Sequence, residues 1–243
     1  MFPFTKKRSN EPLAPPNPAE DRIVDLGSEE LALLRQPRSA IAEQMRQLRN
    51  SIQALNPDGA PRTMVVTSSV EGEGKSVGAL NLALAFAELP RMRVLVLDAD
   101  LHRPSVEDYL GLAHRQGLTE LLRGELALDQ AIRQTSVNGL CVMGPGRLPE
   151  KPSELLGSDR VKTVLAQLRQ RFDYVVIDTP PALAINDSAL LGALVDGIVL
   201  VVRLHSTQRH LVEQAYNLLE NMGGNVLGTM LTAAGEPEKA YSP

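Results

Sequence analysis

The chain has 243 residues, a net charge of −4 and a pI near 5.6, so no global positive field draws it to nucleic acid or anionic lipid, and no nucleic-acid partner is expected. The single cysteine, Cys141, excludes an internal disulfide and a multi-cysteine metal centre within one chain. With 43% hydrophobic residues, no Trp and only 3% aromatics, the core must be aliphatic, and the length suits one α/β domain with appendages.

Residues 1–36 carry Pro3, Pro12, Pro15, Pro16 and Pro18 among charges and read as a flexible arm. Lys6-Lys7-Arg8 precedes no apolar run, so it does not read as a signal peptide. No run of 18 apolar residues occurs, since Asp196 interrupts even the stretch 189–202. A cytoplasmic location is therefore expected, with any attachment to the inner face of the cell membrane made through a partner.

A helix is expected over 39–55, with Ile41, Met45, Leu48, Ile52 and Leu55 on one face. Glu43, Arg46 and Arg49 fall on another face, either as a solvated Glu–Arg pair or as a surface that grips a neighbouring subunit. Asn56-Pro57-Asp58-Gly59 reads as a turn. An apolar strand over 63–67 then leads into Ser69-Val70-Glu71-Gly72-Glu73-Gly74-Lys75-Ser76-Val77. Gly72 and Gly74 let the backbone curl so that successive N–H groups point at phosphate oxygens, and a helix starting near Lys75 adds its positive end. Lys75 is placed to reach the β- and γ-phosphates, and the Ser76 hydroxyl to ligate Mg²⁺. Ser69 stands where the generic phosphate-loop pattern has glycine.

The next strand, 93–97, ends in Asp98-Ala99-Asp100. Alternate residues of an extended chain share a face, so both carboxylates can meet a nucleotide at this edge. In that reading Asp98 assists Mg²⁺ and Asp100 orients or deprotonates an attacking hydroxyl. The other reading of these residues is a turn that caps the next helix. A short helical region over 117–133, a strand over 139–143 and helices from 152 and 158 follow, the last burying Val161, Val164, Leu165 and Leu168. The strand 173–177 ends in Asp178-Thr179-Pro180-Pro181, the second half of a Mg²⁺–nucleotide site. Strands over 197–202 and 225–231 flank a helix over 208–222 with Leu211, Ala215, Leu218 and Met222 inward. Alternating strands and helices imply a doubly wound, mostly parallel sheet with helices on both faces.

These motifs resemble the cytoplasmic domain of the bacterial tyrosine kinases (BY-kinases) of capsule and exopolysaccharide synthesis, within the MinD/ParA-like P-loop ATPases. The resemblance runs over residues 37–231. It rests on Ser69–Ser76 as Walker A, Leu97–Asp100 as Walker A′, Ile177–Pro181 as Walker B, and Glu43-x-x-Arg46-x-x-Arg49. It implies an ATP- and Mg²⁺-dependent protein-tyrosine kinase. Its catalytic residues would be Lys75, Asp100 and Asp178, its cofactor-binding residues 69–77, and its metal ligands Ser76, Asp98 and Asp178. It also implies ring-like self-association through Glu43, Arg46 and Arg49, and activation by the cytoplasmic segment of a membrane chain-length determinant. The chain departs from the family in its tail, 232–243, where Tyr241 is the one tyrosine available as phosphoacceptor, and at Thr232, where relatives often carry Asn near the adenine. A kinase-less ATP-gated scaffold of the same export system is the alternative. A partitioning ATPase is disfavoured by Val70, because those relatives carry a lysine there.

Overall fold

The computed structural model describes residues 27–55 and 63–233. The 56–59 turn, residues 1–26 of the arm and Tyr241 lie outside them. Seven strands are described: β1 (Thr63–Ser68), β2 (Val94–Asp98), β3 (Arg133–Gln134), β4 (Leu140–Met143), β5 (Tyr174–Asp178), β6 (Gly197–Arg203) and β7 (Val226–Thr232). They form one sheet in the order β3-β4-β2-β5-β1-β6-β7. Every pairing is parallel except β3 with β4. The antiparallel β3 was not expected from the sequence: two residues carry no periodicity.

The helices are α1 (Ala32–Arg35), α2 (Ala40–Leu55), α3 (Lys75–Ala87), α4 (Val106–Tyr109), α5 (Leu118–Arg123), α6 (Leu128–Ala131), α7 (Pro152–Leu156), α8 (Asp159–Arg171), α9 (Asp187–Gly192) and α10 (Arg209–Asn221). Strand alternation divides the core in two. Met64, Val66, Val94, Val96, Val176 and Val199 pack with α1, α2 and α3 on one face. Val65, Leu95, Leu97, Val175, Ile177 and Leu200 pack with α5, α8, α9 and α10 on the other. Helix α3 is apolar on every side, as a helix lying between the sheet and a second helix layer must be, and Phe86 stacks on Tyr174 with ring centroids 3.8 Å apart.

Three expectations need correction. The arm was expected to extend to residue 36, but Leu31, Ala32 and Leu33 are buried against the first core, so its last residues belong to the folded body. In α2 the inward face is rotated: Ile41 and Leu55 are exposed, while Ala42, Arg49 and Ile52 are buried. Arg49 can be buried because its guanidinium donates to Ala85 O at 2.8 Å. In α10, Ala215 and Leu219 are buried and Met222 is exposed, because the last turn leaves the sheet at Gly224, where Leu219 O accepts the backbone N–H. Within α8, Val161, Val164, Leu165 and Leu168 all face the core as expected. Asp196 holds the amino-terminal edge of the sheet, accepting from Thr63 N at 2.8 Å and from Arg169 Nη2 at 3.0 Å. Among the described residues no helix is long and apolar enough to cross a membrane.

Candidate nucleotide and phosphoryl-transfer site

Parallel register brings the motif residues level at the carboxyl edge of the sheet. Asp98 pairs with Asp178 across β2 and β5, Val66 pairs with Asp178 across β1, and Ser68 pairs with Val201 across β6. This is the edge where doubly wound sheets bind ligands. The chain from Ser69 to Gly74 curls there into a loop. Gly72 and Gly74 take left-handed φ values of 81° and 90°, and α3 starts at Lys75 with Ser76 and Val77 in its first turn. The loop amides and the helix N-terminus thus form a ready anion cradle.

Glu73 holds the loop's shape. It is buried, accepts Val70 N–H at 2.8 Å, and accepts from Arg203 N at 3.2 Å and the Thr207 hydroxyl. Thr232, at the end of β7, donates to Glu73 O at 2.7 Å, so its described role is to tether the loop. Arg203 Nη1 donates to Gly72 O at 3.2 Å, and Arg103 pairs with Glu71 on the outer side. The sequence reading missed Glu73, Arg203 and Thr207 as a unit. They lie 130 and more positions apart, and only the β1–β6 pairing joins them.

Lys75 sits at the centre. Its ammonium lies 2.9 Å from Asp100 Oδ2, 3.2 Å from Ser76 Oγ and 3.5 Å from Asp178 Oδ1. Burial alone would lower its pKa, but Asp178 and then Asp100 hold it above the usual lysine range. The three carboxylates differ in what they touch. Asp98 is fully buried. Its Oδ1 accepts Asp100 N–H at 3.1 Å, and its Oδ2 accepts Ser105 and Val106 N–H, each at 3.0 Å, at the start of α4. The helix-capping reading of Asp98 is therefore realised, whatever else the residue does. Asp100 accepts from His102 N at 3.3 Å and Arg103 N at 2.9 Å on Oδ1, and from Lys75 on Oδ2. Asp178 is fully buried; its Oδ1 pairs with the Lys75 ammonium at 3.5 Å, and neither oxygen has a short, well-aligned hydrogen bond. Burial pushes the Asp178 carboxyl above the usual range against the pull of Lys75. Asp98 is pushed well above it by burial and then by Asp178.

A buried carboxylate held only by loosely placed partners is costly, and a divalent cation beside phosphate oxygens is a partner that fits one. The Ser69 hydroxyl, at the loop's first position, is likewise buried without a partner. Glu43, Arg46 and Arg49 lie at the far end of α3. There Arg46 grips Glu88 with Nε at 2.8 Å and Nη2 at 2.6 Å, and Arg49 Nη1 lies 3.7 Å from the same carboxylate. All three residues are remote from the loop, and the structure gives both arginines partners within the chain.

Residues 60–232 match the family model described as ParA, NUBPL iron-transfer P-loop NTPase, a family that binds nucleotide. Tyrosine-protein kinase YwqD of Bacillus subtilis is 34% identical over 198 residues, covering 82% of this chain and 83% of that protein. Tyrosine-protein kinase ptk of Acinetobacter johnsonii is 36% identical over 189 residues, which is 78% of this chain but only 26% of that longer protein. The solved kinase domain of Escherichia coli tyrosine kinase ETK superposes with a TM-score of 0.81 at 30% identity, covering 90% of this chain and 86% of that one. The phosphate loop, the carboxylate edge and these likenesses agree: the chain belongs to the bacterial tyrosine-protein kinase family, within the ParA-type P-loop NTPases.

Proposed function

We infer that the chain binds Mg·ATP at the carboxyl edge of the sheet and transfers the γ-phosphoryl group to a tyrosine hydroxyl. The observation that carries this reading is the buried Asp178, set 3.5 Å from Lys75 without a well-aligned hydrogen bond, beside a left-handed glycine loop. The amides of residues 69–77 cradle the phosphates. Ser76 and Asp178 hold Mg²⁺, and Asp98, already bonded to three backbone N–H groups, contributes negative charge behind them. Bound Mg²⁺ supplies charge neutralisation across the phosphate oxygens.

Lys75 exchanges partners in this reading. In the structure it pairs with Asp100 and Asp178. With nucleotide bound its ammonium turns to the phosphate oxygens, and Asp100 Oδ2 is released to accept a hydrogen bond from the incoming hydroxyl and orient it. Phosphoryl transfer needs little else than such positioning and electrostatic stabilisation.

The same reading gives the chain a membrane chain-length determinant as activating partner and a peripheral place at the inner face of the membrane. It further gives a ring of subunits joined through Glu43, Arg46 and Arg49, and Tyr241 as phosphoacceptor. The test is incubation with Mg·ATP, with and without the partner's cytoplasmic segment, followed by phosphosite mass spectrometry. Phosphate on Tyr241 that is lost in Asp100→Asn is the expected result. ATP binding with no phosphotyrosine on any protein contradicts it.

The low tyrosine content of these 243 residues, four in all, favours a second reading, an ATP-gated scaffold of the same export machinery without kinase activity. It gains if Tyr241→Phe leaves polymer production intact while Lys75→Ala abolishes it.

A further inference from the structure

The phosphoryl-transfer reading leaves one buried acid unused. Asp187, the first residue of α9, is fully buried. Its Oδ2 lies 3.0 Å from His102 Nε2, and its Oδ1 has no hydrogen-bond partner. A buried carboxylate is costly to hold, and a pair of this kind fixes geometry more than it adds stability. Asp187 itself is well anchored. The segment joining β5 to α9 is tied to β1 and the phosphate loop: Thr67 Oγ1 donates to Pro180 O at 2.8 Å, Ala182 N–H to Ser68 O at 2.7 Å and Leu183 N–H to Ser69 O at 3.3 Å. Ala189 and Leu191 then seat α9 in the second core.

His102 stands opposite, in the loop after β2. That loop is anchored at Ala99, whose N–H donates to Asp178 O at 2.8 Å, and at Leu101, which is buried. The Asp100 carboxylate between them is aimed by the next two residues, since its Oδ1 accepts His102 N–H at 3.3 Å and Arg103 N–H at 2.9 Å. Arg103 is held from outside by Glu71, in a pair exposed on both sides that solvent weakens. His102 is held by the buried Asp187.

We propose that His102 and Asp187 are positioning residues: the pair keeps the Asp100 carboxylate aimed once Lys75 has left it. The proposal rests on the Mg·ATP reading above, in which the Lys75 ammonium turns from Asp100 Oδ2 to the phosphates. While Lys75 stays, Asp100 is gripped on both oxygens. When Lys75 goes, the two amides on Oδ1 carry the carboxylate, and the ring tied to Asp187 keeps those amides in place. The pair is also a strut between the loop carrying Asp100 and the segment that follows Asp178, so the two strand ends keep one spacing as nucleotide enters and leaves. A displacement of about 1 Å at such a group can cost about 10²-fold in rate. No bond is made or broken at His102.

Hydrogen exchange of the full chain, read over residues 99–106 with and without Mg·ADP, tests the strut directly. The wild type should be at least as protected with Mg·ADP as without it. His102→Ala should match the wild type without nucleotide, where Lys75 still grips Asp100, and should exchange about 10-fold faster than the wild type with Mg·ADP bound. His102→Arg, whose guanidinium can donate to the same carboxylate, should restore protection. Wild-type protection that falls on binding Mg·ADP overturns the proposal. So does His102→Ala protection that is unchanged, or that is lost equally in both states. The kinetic counterpart is tyrosine phosphorylation from Mg·ATP in the presence of the partner segment. There kcat should fall about 10-fold in His102→Ala and recover in His102→Arg, with ATP affinity unchanged. An unaltered kcat, or equal losses of kcat and ATP affinity, contradicts the positioning role. A wild type that binds ATP and transfers nothing to tyrosine overturns the tyrosine-transfer reading alone, and the exchange measurement still decides the strut. A wild type that binds no nucleotide overturns both.

Discussion

Helix α3 joins two charged regions of opposite character. At its first residue, Lys75 faces Asp98, Asp100 and Asp178, so carboxylates outnumber the cation, Asp178 has no well-aligned hydrogen bond, and burial pushes both Asp98 and Asp178 above their usual range. Just beyond its last turn, Glu88 lies between Arg46 and Arg49, partly exposed to water, with short bonds from Arg46 and a further anchor for Arg49 on Ala85 O. The second region is complete within the chain. The first holds more negative than positive charge within the chain. About 20 Å of rigid helix separates them, by the rise of 1.5 Å per residue over its thirteen residues. The lesson is that the chain spends stability where it binds and recovers it where it is merely held together.

That contrast can be broken at its strongest point first. Lys75→Met removes the one cation from the carboxylate cluster. Phosphoryl transfer should fall by about 10³-fold or more, and urea unfolding at neutral pH should show a loss of about 3 kcal/mol, since breaking one partner of a buried pair leaves charge uncompensated. A Lys75→Met chain as stable as wild type would mean that the cluster carries no strain.

Asp178→Asn should separate function from stability. Transfer should fall by about 10²-fold, yet the protein without nucleotide should melt about 2–4 °C higher, because a buried, poorly satisfied charge in a cluster with excess carboxylates has been neutralised. A lower melting point would show that Lys75 satisfies Asp178 fully.

The pH dependence has a definite sign. Asp98 and Asp178 are raised above 3.8, so the folded chain holds their protons more tightly than the unfolded chain does. Stability of the nucleotide-free protein from this region should therefore fall as pH climbs from about 4 through the raised values. Saturating Mg·ADP should flatten that slope, and calorimetric scans across pH with and without it read the difference.

The smallest effect is expected at the other end. Glu88→Ala breaks a partly exposed ion pair and should cost under about 1 kcal/mol while leaving ATP affinity unchanged. Sedimentation of the same variant reads whether the freed arginines alter self-association. A change in ATP affinity would show that α3 transmits between its two ends.

What the sequence could and could not disclose follows the same division. Strand positions were readable because β1, β2, β5 and β6 are buried on both faces and so appear as unbroken apolar runs ended by polar residues. Asp98 and Asp178 were readable as candidates because each ends such a run, Asp100 because it follows two residues later, and Lys75 because it opens α3 after the glycine loop that follows β1. The rest depends on pairing between distant segments. Glu73 looks like one more charged loop residue until Arg203, Thr207 and Thr232 fold onto it. Asp187 and His102 carry no local pattern, and only the packing of α9 against the Asp100 loop makes them a pair. Helix α2 misled for a related reason. Its apolar residues fit one face, but Arg49 found an acceptor on α3 and was buried in place of Ile41 and Leu55. Periodicity counts apolar residues and is blind to a buried arginine whose donors are met.

In the proposed reading, the buried Asp178 holds a cation carried with nucleotide. The most direct measurement is the ATP dissociation constant with excess Mg²⁺ and with chelator, for the wild type and Asp178→Asn. The account predicts that Mg²⁺ tightens ATP binding to the wild type by about 10-fold or more, equivalent to about 1.4 kcal/mol, and has no such effect on Asp178→Asn. Equal ATP affinity with and without Mg²⁺ in the wild type, or an undiminished Mg²⁺ effect in the variant, would contradict it.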